Sequence, residues 1–339
     1  MRQLADAGTS IVFITHKLRE VRAVADEITV IRRGTVVGEA SPQDSESELA
    51  NKMVGRSVMM RVDKADAHPS GGGLEFKEIS MLSSTGLPLL DHVSFAVERG
   101  EIVAVAGVQG NGQTELAQTI LGLVTPNSGE ILLEGIDITH ANPRKSLDAG
   151  IGFIPEDRST DGIISSFSIA ENLVLDQYKD SRFAAGPMLK LGIIAQNARA
   201  KEEEFDIRLT SISDPISSLS GGNQQKVVVA REMSKDLNLL VANQPTRGVD
   251  VGSIEFIHKR IVEVRDQNIP VLLISSELDE VISLADRIVV MYRGRVMGIV
   301  PADTPRDVLG LMMAGVPYDE AVAGEQENAE VSDSHEEEK

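Results

Sequence analysis

The sequence predicts an α/β fold with an antiparallel β subdomain and an inserted helical subdomain. The apolar run Ile102–Ala106 has the composition of a central buried strand, and a glycine-rich loop and a helix from Thr114 to Leu121 follow it directly. The segments 74–79 and 92–97 alternate apolar and polar residues, as half-buried antiparallel strands do. Residues 157–218 are mostly helical in pattern and interrupt the sheet domain.

Three later segments complete the predicted sheet. Residues 238–242 and 270–275 are predicted to be buried strands because they are almost wholly apolar. Residues 285–300 are predicted to form a hairpin that turns at Arg293 and Gly294. The sheet is therefore expected to use strands from both sides of the helical insertion.

The composition of the 339 residues excludes several kinds of site. The chain has no cysteine, which excludes disulfides and thiolate metal sites. It has no run of about 18 apolar residues, so no transmembrane helix is predicted, and its first residues lack the pattern of a signal peptide. A net charge of −19 argues against nucleic acid as a partner.

An internal repeat predicts two copies of one domain. Residues 14–38 and 274–298 are identical at 12 of 25 positions, at an offset of 260. The predicted organisation is a C-terminal remnant of a first copy (1–60), a polar linker (61–73), a complete second copy (74–316) and an acidic disordered tail (317–339). A gene fragment, a misassigned start or a remnant that packs on the second copy would each explain the pattern. We expect a truncated tandem protein.

The glycine-rich loop follows a phosphate-binding pattern with one replacement. Residues 107–114 read GVQGNGQT, which is G-x-x-x-x-G-K-[ST] with Gln113 in place of lysine. Backbone N–H groups of such a loop surround a phosphate, and Thr114 is placed to ligate Mg²⁺. Gln113 still offers a neutral donor, so phosphate binding should weaken without vanishing. The candidate binding residues of the loop are Gly107, Gly110, Asn111, Gly112, Gln113, Thr114 and Glu115.

A second motif, LSGGNQQK at 219–226, opens an apolar-rich helix. With this motif the chain resembles the nucleotide-binding domain of ABC transporters, whose signature is LSGGQ or a close variant. The resemblance covers about Leu74 to Gly315 and implies ATP as the ligand. In this family the signature of one domain closes over the phosphate loop of its partner. The residues it implicates here are Ser220, Gly221, Gly222, Asn223 and Gln224.

The same resemblance identifies positions where this chain departs from the family. Asn243 replaces the aspartate that organises Mg²⁺, and Gln244 replaces the glutamate that polarises the attacking water. Ser276 stands where a switch histidine is usual, and Glu156 replaces the glutamine of the loop that senses the γ-phosphate. Asp250 matches the D-loop, which crosses the dimer interface.

Four positions are thus neutralised: Gln113, Asn243, Gln244 and Ser276. Two of them exchange a carboxylate for its near-isosteric amide, which keeps shape and loses base strength. The remnant of the first copy has His16 at the switch position. The resemblance therefore implies a degenerate site in this half, with the signature completing a competent site in a partner domain.

The strings PEDR, LSGGNQQK and PTRGVDVG resemble the carbohydrate-uptake branch of ABC importers, and the run from Gly252 resembles nucleoside importers. This implies ATP-driven import of nucleosides or simple sugars, with ATP and Mg²⁺ as cofactors. The implied partners are two membrane permease subunits, an extracellular solute-binding lipoprotein and a competent nucleotide-binding domain, at the cytoplasmic face of a bacterial membrane. The chain alone is expected to be weak or inactive as an ATPase. The alternatives are a non-catalytic binding or regulatory module and a soluble ABC ATPase of repair or translation.

Overall fold

The computed structural model describes residues 1–15, 17–32, 34–57 and 62–324. The N-terminal part contains α1 (Arg2–Asp6), α2 (Leu18–Val24), β1 (Ile28–Arg32), β2 (Thr35–Ala40) and α3 (Glu46–Val54). β1 and β2 pair as an antiparallel hairpin. α3 starts with a capping box, since the Ser45 hydroxyl accepts from the Glu48 N–H and the Glu48 carboxylate accepts from the Ser45 N–H.

The larger part of the chain follows from residue 74. Its first half contains β3 (Leu74–Leu82), β4 (Pro88–Val97), β5 (Ile102–Ala106), α4 (Gln113–Ile120), β6 (Ser128–Leu133), β7 (Ile136–Asp137), α5 (Pro143–Asp148), β8 (Ile151–Ile154), α6 (Ile169–Asn172), β9 (Ala184–Ala185), β10 (Met188–Leu189) and α7 (Leu191–Glu204). Its second half contains α8 (Gly221–Met233), β11 (Leu239–Asn243), α9 (Val251–Asp266), β12 (Val271–Ser275), α10 (Leu278–Leu284), β13 (Arg287–Tyr292), β14 (Arg295–Pro301) and α11 (Arg306–Met313).

A six-stranded sheet forms the centre of this part, in the order β14-β13-β5-β12-β11-β8. Its strands are parallel except β14, which pairs antiparallel with β13. Every residue of β5, β11 and β12 is buried, as expected for parallel strands covered on both faces. The predicted central strands and the terminal hairpin are confirmed.

The predicted antiparallel subdomain is the four-stranded sheet β4-β3-β6-β7. Alternate residues of β5 belong to two different cores, because side chains alternate across a strand. Val103 packs in a core shared with Leu116 of α4 and the antiparallel sheet. Ala104 packs in a core shared with Val228 of α8 and Ile257 of α9.

The predicted helical insertion is only partly helical. A π-helical turn (158–162), α6, α7 and a 3₁₀ turn (216–218) are joined by loops and by the short β9–β10 hairpin. The buried Arg231 of α8 ties this insertion to the sheet domain, since it donates to the carbonyls of Gly162 and Asn172 at 2.9 and 3.3 Å. None of the described helices is long and apolar enough to cross a membrane.

The internal repeat has a structural counterpart. α2, β1, β2 and α3 match α10, β13, β14 and α11 at the same offset of 260 residues. Residues 10–15 are the exception, because they correspond to the buried strand β12 but form no strand of the described structure. Val12 and Ile14 are 95% and 98% exposed. The local structure therefore repeats, whereas the surroundings of this segment differ.

The predicted linker is fixed along its described residues, 62–73. The Lys64 ammonium donates to the carbonyls of Leu284 and Ala285 at 2.8 and 2.7 Å, and to the Asp286 carboxylate at 2.6 Å. Burial lowers the pKa of the Lys64 ammonium below its usual value. Lys64 thereby caps the C-terminal end of α10 and holds the linker on the sheet domain.

The prediction of disorder from residue 317 is wrong as far as residue 324. Residues 318–324 are helical, and Ala321 is fully buried in the core that contains α11. The high charge of the segment concealed this, because only a few apolar residues, Val316, Ala321 and Val322, place the short helix on the core. Residues 325–339 lie outside the described part of the chain.

Candidate functional site

Four strand ends bring the predicted site residues together. β5 leads into the loop 107–112, β12 into Ser276, β11 ends at Asn243 before Gln244, and β8 is followed by Glu156. These four strands are parallel and adjacent, so their carboxyl ends lie along one edge of the sheet. That edge is the usual ligand site of an open α/β sheet.

The glycines of the loop shape a phosphate cradle. Gly112 has φ +102° and a Cβ there would lie 2.8 Å from the Leu89 carbonyl oxygen. A Cβ on Gly107 would lie 2.6 Å from Gln113 Nε2 and 2.9 Å from the Met291 carbonyl oxygen. Gly110 has φ +89° and open space around it. The loop is thus closely packed on one side and open on the other, as a phosphate site requires.

Asn111 holds this loop to the β13–β14 turn. Its Oδ1 accepts from the Arg293 N–H and its carbonyl accepts from the Gly294 N–H, both at 3.0 Å. A contact of Asn111 with the phosphate stays a prediction. Sequence reasoning missed the contribution of the turn, because nothing in the 107–114 pattern points to a hairpin about 180 residues later.

Gln113 offers a buried donor that suits a phosphate ligand. It is 5% exposed, and its Nε2 is a buried donor with no hydrogen-bond partner. A buried donor without an acceptor costs about 1–3 kcal/mol, which a phosphate oxygen in the cradle would recover. Thr114 and Glu115 follow on the first turn of α4 and are half-buried. The residues present therefore fit a phosphate group.

Gln244 and Ser276 are in contact, as the motif positions imply. Gln244 Nε2 lies 3.2 Å from Ser276 Oγ, which lies 3.3 Å from Gln244 Oε1. Gln244 has a left-handed backbone with φ +50°, which is uncommon outside glycine and typical of functional loops. Since a neutral amide and a hydroxyl are poor proton acceptors, this pair lacks a general base.

The predicted metal ligands are oxygen donors without charge. Thr114 offers a hydroxyl and the buried Asn243 an amide oxygen. The described residues hold no group of three or more His, Asp or Glu side chains able to bind a metal. Mg²⁺ is usually bound through one or two carboxylates together with substrate phosphates. Thr114 and Asn243 are thus the right class of ligand for Mg²⁺ but a weak set.

Glu156 contacts the phosphate loop through a residue that sequence reasoning did not single out. Its Oε1 accepts a hydrogen bond from Gln109 Nε2 at 2.8 Å. The same carboxylate forms an ion pair with Arg247, which follows the β11 loop. Gln109 lies within the 107–114 pattern and Arg247 directly follows the Asn243–Thr246 motif, so both lay beside recognised signals.

A hydrogen-bonded cluster around Glu280 connects the elements that carry the site. The Thr246 hydroxyl donates to Glu280 Oε1 at 2.6 Å, and His258 Nε2 lies 3.0 Å from the same oxygen. Burial alone would raise the pKa of Glu280, but hydrogen bonds from His258, Thr246 and Ser275 hold it below its usual value. The cluster joins α9, α10 and the loop that carries Gln244, and no motif in the sequence predicts it.

The signature residues pack against the D-loop. Ser220 is the N-cap of α8, and its Oγ accepts from Asn223 Nδ2 at 3.0 Å, while Gln224 Nε2 donates to the Leu219 carbonyl. A Cβ on Gly222 would lie 2.6 Å from Asp250 Oδ2. The Asp250 carboxylate, which accepts from the Ser253 hydroxyl, thus packs against the backbone at Gly222, and a larger residue there would force these side chains to shift.

Arg158 packs from the other side of the signature. A Cβ on Gly221 would lie 2.5 Å from its Nη2, and its Nη1 donates to the Arg247 carbonyl at 3.0 Å. Burial lowers the pKa of Arg158. Within the described residues, no hydrogen bond or ion pair joins the signature to the phosphate loop. His16, the predicted switch histidine of the first copy, lies outside the described residues.

Residues 90–247 match the family model described as ABC transporter. A nucleotide-free ATP-binding cassette from an ABC transporter superposes with a TM-score of 0.59 at 20% identity, covering 73% of this chain and 96% of that one. A dimeric ATP-binding cassette bound to ADP and Pi does so with a TM-score of 0.59 at 21% identity, covering 68% and 100%. The fold is that of an ABC ATPase. The predicted fold class is confirmed.

The chain is similar along nearly its whole length to import ATP-binding proteins. The glucose import ATP-binding protein of Haloferax volcanii is 44% identical over 96% of this chain and 60% of its own length. The nucleoside import ATP-binding protein of Lactococcus lactis is 46% identical over 93% and 63%, and the guanosine import ATP-binding protein of Bacillus subtilis 42% over 95% and 63%. The chain thus spans about three-fifths of the length of these relatives. By their names, these relatives act in the import of glucose, nucleosides and guanosine.

Proposed function

We propose that this chain is an ATP-binding subunit of an ABC importer for nucleosides or simple sugars, and that its own phosphate-loop site is degenerate. The observation that carries the second part is the Gln244–Ser276 pair at the strand ends, which offers no base to activate water. In this proposal the Ser220–Gln224 signature completes a competent site in another nucleotide-binding domain. The D-loop residue Asp250 supports it by packing directly under Gly222.

The proposed site binds ATP through its phosphates. The loop glycines and the unpartnered Nε2 of Gln113 favour a phosphate group in the cradle. Thr114 and Asn243 are the residues that would hold Mg²⁺. ATP supplies a phosphoanhydride bond whose hydrolysis drives transport, and in this chain the residues at 113, 243, 244 and 276 bind without promoting that step.

The proposed partners follow from the relatives, whose names describe ATP-binding proteins of import systems. They are two membrane permease subunits, a solute-binding lipoprotein and a competent nucleotide-binding domain, with the chain peripheral to the cytoplasmic face of a bacterial membrane. The net charge of −19 disfavours nucleic acid as a partner. In this proposal the partner proteins contact the solute and determine its identity.

The test measures nucleotide binding and ATP turnover by the purified chain with Mg²⁺. We expect saturable binding of a fluorescent adenine nucleotide with turnover at background. The double variant Gln113→Lys with Gln244→Glu should raise turnover, since it restores a phosphate-binding cation and a general base. Gln267→Glu makes the same amide-to-carboxylate change on the exposed end of α9 and should leave turnover at background. Turnover by the unaltered chain that is lost on Ser220→Ala would contradict a degenerate site.

A non-catalytic binding or regulatory module is the second candidate. The neutral amides at 243 and 244 favour it, because a module without turnover needs no carboxylate there. It differs from the first proposal in one measurable way: it gives no ATP turnover when a competent nucleotide-binding domain is added. Stimulated turnover that depends on Ser220 would favour the importer subunit.

A further inference from the structure

The carboxylate of Glu156 lies at the rim of the phosphate loop. Its Oε1 accepts a hydrogen bond from Gln109 Nε2 at 2.8 Å, so a residue of the loop itself fixes its position. Arg247 forms an ion pair with the same carboxylate. The Glu156 side chain is 18% exposed and that of Arg247 55% exposed, so the carboxylate is the more buried partner and the cation is the more hydrated one.

The loop lacks the charge that would offset this carboxylate. Gln113 occupies the lysine position, and the side chains at 243, 244 and 276 are neutral. Glu115 on the first turn of α4 adds a second carboxylate near the loop. Among the residues just named, Arg247 is the one cation, and it is already paired with Glu156. At these positions a further phosphate group therefore meets side chains that are neutral or negative, apart from the paired Arg247.

From this geometry we infer that Glu156 makes the phosphate loop select nucleoside diphosphates over triphosphates. The backbone N–H groups of the loop hold the phosphates that ADP and ATP share. The terminal phosphate of ATP adds negative charge beside a carboxylate that Gln109 holds at the rim, and like charges at close range repel. The inference rests on the proposed nucleotide site and names the ligand that this site prefers.

The test compares ADP and ATP as competitors of a fluorescent ADP analogue bound to the full chain, with Mg²⁺ and then with EDTA. The unaltered chain should bind ADP about tenfold more tightly than ATP, which corresponds to about 1.4 kcal/mol. Glu156→Gln keeps the size and the hydrogen bond to Gln109 but removes the charge. It should tighten ATP binding by about the same factor and leave ADP binding nearly unchanged.

Two further variants make the test specific to charge at this position. Arg247→Gln removes the cation that offsets Glu156, so the preference for ADP should grow by a further few-fold. Opposite shifts in the two variants would not arise from a general loss of structure. Asp161→Asn makes the same change of charge on an exposed residue of the π-helical turn that follows Glu156, and it should keep the unaltered ratio.

An unchanged ratio in Glu156→Gln, with both nucleotides still bound, would overturn this inference and leave the proposed nucleotide site intact. Weaker ATP binding in that variant would also overturn it, because Glu156 would then assist the triphosphate or its metal. ATP binding that appears only in Glu156→Gln would support it. No binding of either nucleotide by any of the four chains would overturn the inference and the proposed nucleotide site together.

Discussion

At the scale of single residues, the buried carboxylate of Glu280 connects elements that carry the site. It is 4% exposed and accepts from Thr246 and His258, which belong to different elements. Glu280→Ala leaves the buried His258 and the half-buried Thr246 without this acceptor, so we expect the free energy of unfolding to fall by about 1–3 kcal/mol. Urea unfolding followed by circular dichroism measures this.

Glu263→Ala is the matched control for that change. Glu263 lies on α9 with an exposed side chain that pairs with Arg260, so its loss should cost less than about 1 kcal/mol. Equal effects of the two substitutions would show that the buried hydrogen bonds of Glu280 contribute nothing beyond an ordinary surface ion pair.

The same residue predicts the pH dependence of stability. The pKa of Glu280 is below the ordinary glutamate value of 4.5, so its stabilising contribution is fully present above pH 4.5 and is lost as the pH falls through the lower folded-state pKa. Glu280→Gln does not ionise, so its free energy of unfolding should fall less steeply below pH 4.5. Unfolding curves at a series of acidic pH values test this. An equal fall of the free energy of unfolding with pH in both chains would contradict it.

Single residues also show which parts of this site the sequence could predict and which it could not. Gln113, Asn243, Gln244 and Ser276 were found because each occupies a fixed place in a motif, and strand order then brings them to one edge. Glu280 was missed because its partners come from three elements. A hydrogen bond between distant elements depends on packing, which leaves no local pattern in the sequence.

At the scale of elements, α3 of the N-terminal part packs on α9. Leu49, Ala50 and Leu18 share a small core with Val251, the first residue of α9 after the D-loop. Arg56 pairs with the buried carboxylate of Glu255 at 2.7 Å. The repeat predicted the elements of this part, and α3 packs on β1 as α11 packs on β13. The further contact of α3 with α9 could not be predicted, since α9 lies outside the repeated segment.

This packing predicts the effect of one substitution. Leu49 is fully buried, so Leu49→Ala should destabilise the α3–α9 contact by about 2–5 kcal/mol. Hydrogen exchange of the amides in 28–54 should speed up strongly, while that of β5 and β12 stays slow, because those strands belong to other cores. Leu4→Ala, at an exposed position of α1, is the control and should change neither. Faster exchange throughout the chain would mean that the two parts unfold together.

At the scale of the whole molecule, the two large cores are built without the N-terminal part. Their buried and partly buried members lie between residues 62 and 322, whereas the small core at α3 joins that part through Val251 alone. The sequence predicted a boundary here from composition, because residues 61–73 are polar and rich in glycine. It did not predict that Lys64 fixes the linker, since a single buried lysine has no compositional signature.

This arrangement predicts how the molecule responds to removal of its N-terminal part. A chain that begins at residue 62 keeps Lys64 on the end of α10, so it should fold, with a thermal midpoint within a few degrees of the full chain. A chain that begins at residue 74 also loses Lys64, which leaves the Leu284 and Ala285 carbonyls and Asp286 without that donor and should lower the midpoint further. Circular dichroism melting of the three chains measures the two steps separately. If the chain that begins at residue 62 does not melt cooperatively, the α3–α9 contact is required for the rest of the molecule to fold. If the chains that begin at residues 62 and 74 have equal midpoints, Lys64 holds the linker without stabilising the sheet.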